Sequence, residues 1–147
     1  MPEVIGIDHI YIAVSDLNEA EKFYDRVMKV LGFRKAQFQL QGQRHIQYYN
    51  RHFGYVLRPA SGTTPKNPQA PGLHHLCFQV DGEREVMQAA ELLTAHGISH
   101  SEPRLYPEYA PDYFAVFFSD PDGIALEITN YRQERRQRYA DWSSHEP

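Results

Sequence analysis

The run from Ile7 to Phe33, IDHIYIAVSDLNEAEKFYDRVMKVLGF, and the run from Leu73 to Ile98, LHHLCFQVDGEREVMQAAELLTAHGI, spell one pattern twice. Each passes from an alternating strand holding a histidine, through an Asp-led turn, into an amphipathic helix that stops at glycine. His9 precedes Gly32 by 23 residues, and His75 precedes Gly97 by 22. Self-similarity at matched spacing marks a duplicated structural unit. In the first copy Asp16 is placed to cap the helix, with Glu19 where a capping box needs it. Leu17, Ala20, Tyr24, Val27 and Leu31 form the apolar stripe and Gly32 the stop. In the second copy Asp81 is the expected cap, Val86, Ala89, Ala90 and Leu93 the stripe, and Gly97 the stop.

Outward from these helices, shorter runs read as strands: Arg34 to Leu40, Arg44 to Tyr49, Tyr55 to Arg58, Tyr113 to Phe118 and Ile124 to Asn130. Asp120-Pro121-Asp122-Gly123 carries turn chemistry between the last two. The pattern predicts an α+β fold of paired β-α-β-β-β modules, a curled mixed sheet with a helix over each half. One domain over 1–147 is expected: module one about 5–60, a Pro-, Gly- and Thr-rich linker 61–72, module two about 73–130, and a charged tail 131–147. A terminal helix and a partly disordered tail both fit that tail.

Strands alternate faces, so parity sorts the polar residues. Ile10, Ile12 and Val14 should face the first helix, leaving His9, Tyr11 and Ala13 on the other side. Leu76, Phe78 and Val80 should be covered, leaving His75, Cys77 and Gln79. On the last strand Glu127 lies opposite the covered Leu126 and Ile128. Desolvating an unpaired carboxylate is expensive, and two imidazoles with one carboxylate around a cation answer that need. By the same parity, Gln37, Gln39, His45, Gln47, Tyr49 and Tyr113 are assigned to the face bearing the histidines. Such a wall suits a small oxygen-rich molecule.

DHIYIAV, GLHHLCFQV and DPDGIALEI together resemble the vicinal oxygen chelate superfamily. Its members include glyoxalase I, extradiol dioxygenases, fosfomycin-resistance enzymes, methylmalonyl-CoA epimerase and bleomycin-resistance proteins. The resemblance covers about residues 5 to 130. It implies paired modules around a metal-containing cavity, one divalent ion (Mn, Fe, Ni or Zn), and His9, His75 and Glu127 as its ligands. His74 has the wrong parity for that role. Glyoxalase I carries a further Glu ligand on the last strand of its first module, where this chain reads Gly54-Tyr55-Val56-Leu57-Arg58. Extradiol dioxygenases place a Tyr where this chain has Phe117. Fosfomycin thiol transferases use two His and one Glu, but their potassium loop is not visible in Arg104 to Asp112. Bleomycin-binding relatives typically lack the ligand set retained here.

The expectation is a metal-dependent, glyoxalase-like enzyme of isomerase, lyase or transferase type, its substrate chelated through neighbouring oxygens. Glu127 is the candidate base, with His45 and Tyr49 as further catalytic candidates. Tyr11, Gln37, Gln47, Tyr113 and Arg104 are candidates to bind substrate. The alternatives are an extradiol-type dioxygenase and a protein that sequesters an antibiotic or metabolite without reacting. Glu102 to Asp112, with three prolines, reads as a lid or an ordinary loop. Net charge of −4 supplies no field for nucleic acid. No apolar stretch approaches the roughly 18 residues a membrane span needs. A single cysteine suits a reducing compartment, and the N-terminus lacks a signal pattern, so a cytoplasmic location is expected. By resemblance, so is a homodimer.

Overall fold

The computed structural model describes residues 2–62 and 64–144; residue 63 of the expected linker and 145–147 of the expected tail lie outside them. The chain forms two compact units. The first is Met1–Ala70 with Asp120–Ile124, the second Pro71–Ser119 with Ala125–Pro147. Their boundary at Ala70 falls inside the proline-rich stretch.

The first unit runs β1 (His9–Val14), α1 (Leu17–Val30), β2 (Arg34–Leu40), β3 (Gln43–Tyr49) and β4 (Gly54–Pro59). The second repeats the order as β5 (His75–Val80), α2 (Glu83–Ala95), β6 (Arg104–Leu105), β7 (Phe114–Ser119) and β8 (Ala125–Asn130). The sheets are ordered β1-β4-β3-β2 and β5-β8-β7-β6. In each, the first strand lies parallel to the last and the remaining pairs are antiparallel. This is the α+β architecture that the repeat predicts. The strand missing from the sequence reading is β6, two residues long, inside the stretch read as a lid or loop. There Tyr106 and Ala110 are buried, and the Tyr106 amide donates to the Tyr113 carbonyl at 2.7 Å.

The helices form for the reasons the sequence supplies. Asp16 caps α1 by accepting from the Glu19 amide at 3.0 Å. For α2 the cap position is Gly82 rather than Asp81, with no side-chain capping bond. Asp81 instead accepts from Arg136 Nη2 at 3.1 Å. Both helices end identically. Gly32 and Gly97 adopt left-handed φ of 76° and 73°. The next residues, Phe33 and Ile98, donate back to Met28 and Leu93 carbonyls at 2.8 and 2.9 Å. This double closure satisfies carbonyls that the helix itself leaves unpaired.

Against α1 the first sheet presents Ile12, Val14, Ile46, Tyr48, Tyr55 and Leu57; against α2 the second presents Phe78, Val116, Phe118, Leu126 and Ile128. The whole expected stripe of α2 is buried, whereas α1 buries Phe23 and Met28 with Ala20, Tyr24 and Val27. Three core tyrosines of the first unit find partners for their hydroxyls, as burial requires. Tyr55 donates to Tyr24 at 3.0 Å, Tyr24 to Asp120 Oδ2 at 2.8 Å, and Tyr48 to Asp25 at 2.7 Å. Asp120 Oδ1 also accepts from the Asp122 and Ile124 amides, closing the predicted turn.

The tail continues as α3 (Gln133–Ala140) and a short 3₁₀ turn, Trp142–Ser144. The run of arginines from Arg132 is not simply a solvated face. Arg132 is buried, and Arg136 also donates to the Asp81 carbonyl at 2.8 Å.

Candidate metal centre

Each first strand delivers one histidine to the face its helix leaves bare. His9 opens β1 and is half exposed; Asp8 Oδ1 lies 2.6 Å from its Nδ1. A carboxylate accepts here, so the hydrogen sits on Nδ1, the tautomer that leaves Nε2 as the ring's donor atom toward a metal. His75 opens β5 and is likewise half exposed. Its Nδ1 lies 2.9 Å from Nδ1 of His74, and its Nε2 lies 3.7 Å from Glu127 Oε2. In both copies the residue before the histidine bonds its Nδ1. Sequence reading missed Asp8 and set His74 aside; their matched place in the repeat is the signal that marks them.

Strand register also makes the copies comparable. Cys77 pairs with Glu127 on β8, two residues after His75. Tyr11 pairs with Val56 on β4, two residues after His9. Val56 is therefore the first-unit counterpart of Glu127, and that unit offers no carboxylate at the equivalent place.

Glu127 is 2% exposed. The Tyr113 hydroxyl donates to its Oε1, which leaves Oε2 turned toward His75. Partial burial and the bond to Glu127 push the Tyr113 phenol above its ordinary range, so it remains a donor at neutral pH. A separation of 3.7 Å is too long for a hydrogen bond. It lies within the ~4.2 Å that two ligand bonds of ~2.1 Å to one ion can span. A buried carboxylate bonded by Tyr113 and the Cys77 thiol, with one oxygen facing an imidazole nitrogen at that distance, fits a divalent cation. Among the described residues no group of three or more His, Cys, Asp or Glu side chains is brought together as a set that could hold a metal ion. The expected ligand set draws His9 from one unit and His75 and Glu127 from the other.

On the bare face of the first sheet, Tyr11, Phe38, Gln47, Tyr49 and His9 line an open hollow of about 620 Å³ with Arg51. His45 shares this face but is buried, its ring stacked on Phe38 at 5.0 Å. Its Nδ1 is bonded to the Gln43 carbonyl at 3.0 Å, and its Nε2 is buried with no hydrogen-bond partner.

Gln37 falls on the opposite face. It pairs with the core residue Ile46, as Gln39 does with Arg44, and its side chain accepts from Arg44 at 3.4 Å. The apolar set Ala36 and Phe38 faces the hollow instead. On this edge strand the polar side is held by ion pairs from Lys35 to Glu21 and Asp25, and from Arg44 to Glu21. In the second unit Arg104 is folded onto the Tyr106 ring, its guanidinium carbon 3.8 Å from the centroid. Tyr113, expected to bind substrate, is engaged with Glu127.

Two α+β modules, each offering a histidine from its first strand, and one a buried carboxylate from its last, define a class of duplicated β-α-β-β-β scaffold. Residues 6–128 match the model of the Glyoxalase/Bleomycin resistance protein/Dioxygenase superfamily, and the chain belongs to that superfamily. It is 32% identical to the uncharacterized protein YqjT of Bacillus subtilis, over 82% of this chain and 94% of that one. It is 24% identical to the metallothiol transferase FosB of Staphylococcus epidermidis, over 97% of this chain and 94% of that one. Among solved structures it resembles a lactoylglutathione lyase from Agrobacterium tumefaciens, with a TM-score of 0.61 and 25% identity. That match covers 88% of this chain and 95% of the other.

Proposed function

We propose that this protein is a divalent-metal-dependent enzyme of isomerase, lyase or transferase type acting on a small oxygen-rich molecule. His75 and Glu127, with His9, are the proposed ligands. The carrying observation is the nearly inaccessible Glu127 carboxylate, held at one oxygen by Tyr113 and turned at the other toward His75. When bound there, the cation supplies Lewis-acid stabilisation of negative charge growing on a chelated substrate oxygen. The protein's own groups do the rest. Asp8 and His74 hold the two imidazoles in orientation, and Tyr11, Gln47 and Tyr49 offer hydroxyl and amide contacts along the hollow. Glu127 is the first candidate to take a proton from substrate, and His45, through its unpartnered Nε2, or Tyr49 the next.

The relatives named metallothiol transferase and lactoylglutathione lyase favour transferase or lyase chemistry as the class to test first. Val56 at the place equivalent to Glu127 argues for one carboxylate ligand rather than two. The reading includes a homodimer, supported by the exposure of Leu40 and Leu105 on the sheets and checked by sedimentation. Among the described residues no helix is long and apolar enough to cross a membrane, and a cytoplasmic location belongs to the proposal.

The test is elemental analysis of the purified protein, then turnover without oxygen in the presence of Mn²⁺, Ni²⁺ or Zn²⁺. Anaerobic activity lost in His9→Ala and Glu127→Ala supports the reading. Oxygen uptake that requires Fe²⁺ supports a dioxygenase instead. Equal ligand affinity with and without metal, and no turnover, supports sequestration.

A further inference from the structure

We infer that Tyr113 and Arg132 form a positioning pair for Glu127, so that the C-terminal helix, which lies outside the duplicated unit, sets the geometry of the candidate metal centre. The inference rests on the reading of Glu127 as a ligand. It assigns Tyr113 a role other than substrate contact.

A carboxylate left to itself can rotate and offer an ion one oxygen or two. The Tyr113 hydroxyl, donating to Oε1, engages one oxygen and restrains the carboxylate plane, so that Oε2, turned toward His75, is the oxygen that would meet a cation. Outer partners of this kind set ligand orientation and basicity. Tyr113 is itself held. The Arg132 guanidinium carbon lies 4.4 Å from its ring centroid, Tyr109 meets it edge-on at 5.2 Å, and its amide donates to the Ala110 carbonyl at 3.1 Å.

Arg132 is 7% exposed, and its Nε donates to Glu134 Oε1 at 3.0 Å in the first turn of α3. The start of that helix is tied down independently, by the Gln133 amide donating to Asp112 Oδ2 at 2.9 Å. A buried arginine costs several kcal/mol of lost hydration unless its contacts replace the water. Here they are an aromatic face and a carboxylate, and the order runs α3, Arg132, Tyr113, Glu127. The first unit shows why this arrangement belongs to the carboxylate. Counting along β3 from Gln47, which pairs with Val56, as β7 is counted from Phe117, which pairs with Glu127, the counterpart of Tyr113 is Gln43. Where the acid is replaced by valine, the phenol is replaced as well.

The experiment titrates metal-free full-length protein with Co²⁺ alone, following the visible absorption bands, which report coordination geometry, together with unfolding in chelator. Tyr113→Phe keeps the ring under Arg132 and deletes the donor. It is expected to weaken Co²⁺ binding about 10–100-fold and to alter the bands, with the metal-free unfolding midpoint close to wild type. Arg132→Met, which keeps the phenol and removes what covers it, is expected to shift both readouts the same way by less, and serves if Tyr113→Phe fails to fold. Wild-type affinity and bands in both variants overturn the positioning pair but leave the metal reading intact. Failure of wild type to bind Co²⁺, or unchanged binding in His75→Gln and Glu127→Gln, overturns both.

Discussion

Replacing Glu127 by Gln separates what this residue contributes to folding from what it contributes to binding. The glutamine is isosteric and its carbonyl oxygen still accepts from Tyr113, so the bond seen at Oε1 survives. What disappears is a carboxylate at 2% exposure whose second oxygen lies 3.7 Å from the His75 imidazole. Removing a poorly compensated buried charge relieves desolvation, so metal-free Glu127→Gln should be at least as stable as wild type. With metal the order reverses. At a free ion concentration 100 times Kd, binding stabilises the folded state by about 2.7 kcal/mol. For a chain of this length each kcal/mol moves Tm by roughly 3 °C, so wild type should gain about 8 °C on adding metal. Glu127→Gln should gain little. Scanning calorimetry of both proteins, in chelator and in excess Zn²⁺ or Mn²⁺, gives all four midpoints. A variant that is clearly destabilised without metal, yet keeps the full metal-dependent rise, would refute the reasoning: Glu127 would then be a structural acid and not a ligand.

Burial raises the Asp120 pKa more than its bonds to Tyr24 and the turn amides lower it. A carboxylate whose folded pKa exceeds its unfolded value stabilises the fold below the unfolded pKa and loses that contribution as pH rises through the folded one. Urea midpoints from pH 4 to 7 should therefore fall less steeply, or rise more, in Asp120→Asn than in wild type. Glu21 works the other way: its bonds to Lys35 and Arg44 hold its pKa below the ordinary value, so its contribution is lost as pH falls, and the Asp120→Asn comparison isolates the contribution that declines as pH rises. Leu93→Ala removes a fully buried side chain of α2 and should cost about 2–5 kcal/mol in chemical denaturation. Gly32→Ala meets nothing within 4 Å of the new Cβ, so its loss should be the left-handed backbone penalty alone, about 1–2 kcal/mol.

The duplicated unit was legible because its signals are local and redundant. Histidine, Asp-led turn, stripe and glycine stop recur together, and each names its own physical cause. The faces of β1, β5 and β8 were legible too, since their apolar residues are the ones a helix covers. Strand β2 was misread by the same rule. It lies at the sheet edge, where the covered side is held by ion pairs and the apolar side, Ala36 and Phe38, turns toward the hollow. Alternation tells which residues share a face, but which face is buried depends on strand position in the sheet. The bond from Tyr113 to Glu127 and the stacking of Arg132 join residues that no period links. The tail's composition, rich in arginine, reads as solvated surface; one of those arginines is buried because an aromatic ring and a carboxylate replace its water.

The comparison of the two copies carries the functional argument further than either copy alone. Their strand orders match, their helices stop with the same pair of backbone bonds, and each opens its first strand with a histidine whose Nδ1 is held by the preceding residue. Requirements of folding suffice to explain the shared strand order and helix stops, because each is a cheap local solution to burying a helix on a sheet. They do not explain a half-exposed imidazole oriented by its neighbour in both copies, since neither ring fills the core. Nor do they explain a buried acid at position 127 where the other copy manages with Val56. A scaffold that folds with valine there has no structural need of the charge, so the acid, its phenol and its arginine are what the proposed cation would call for.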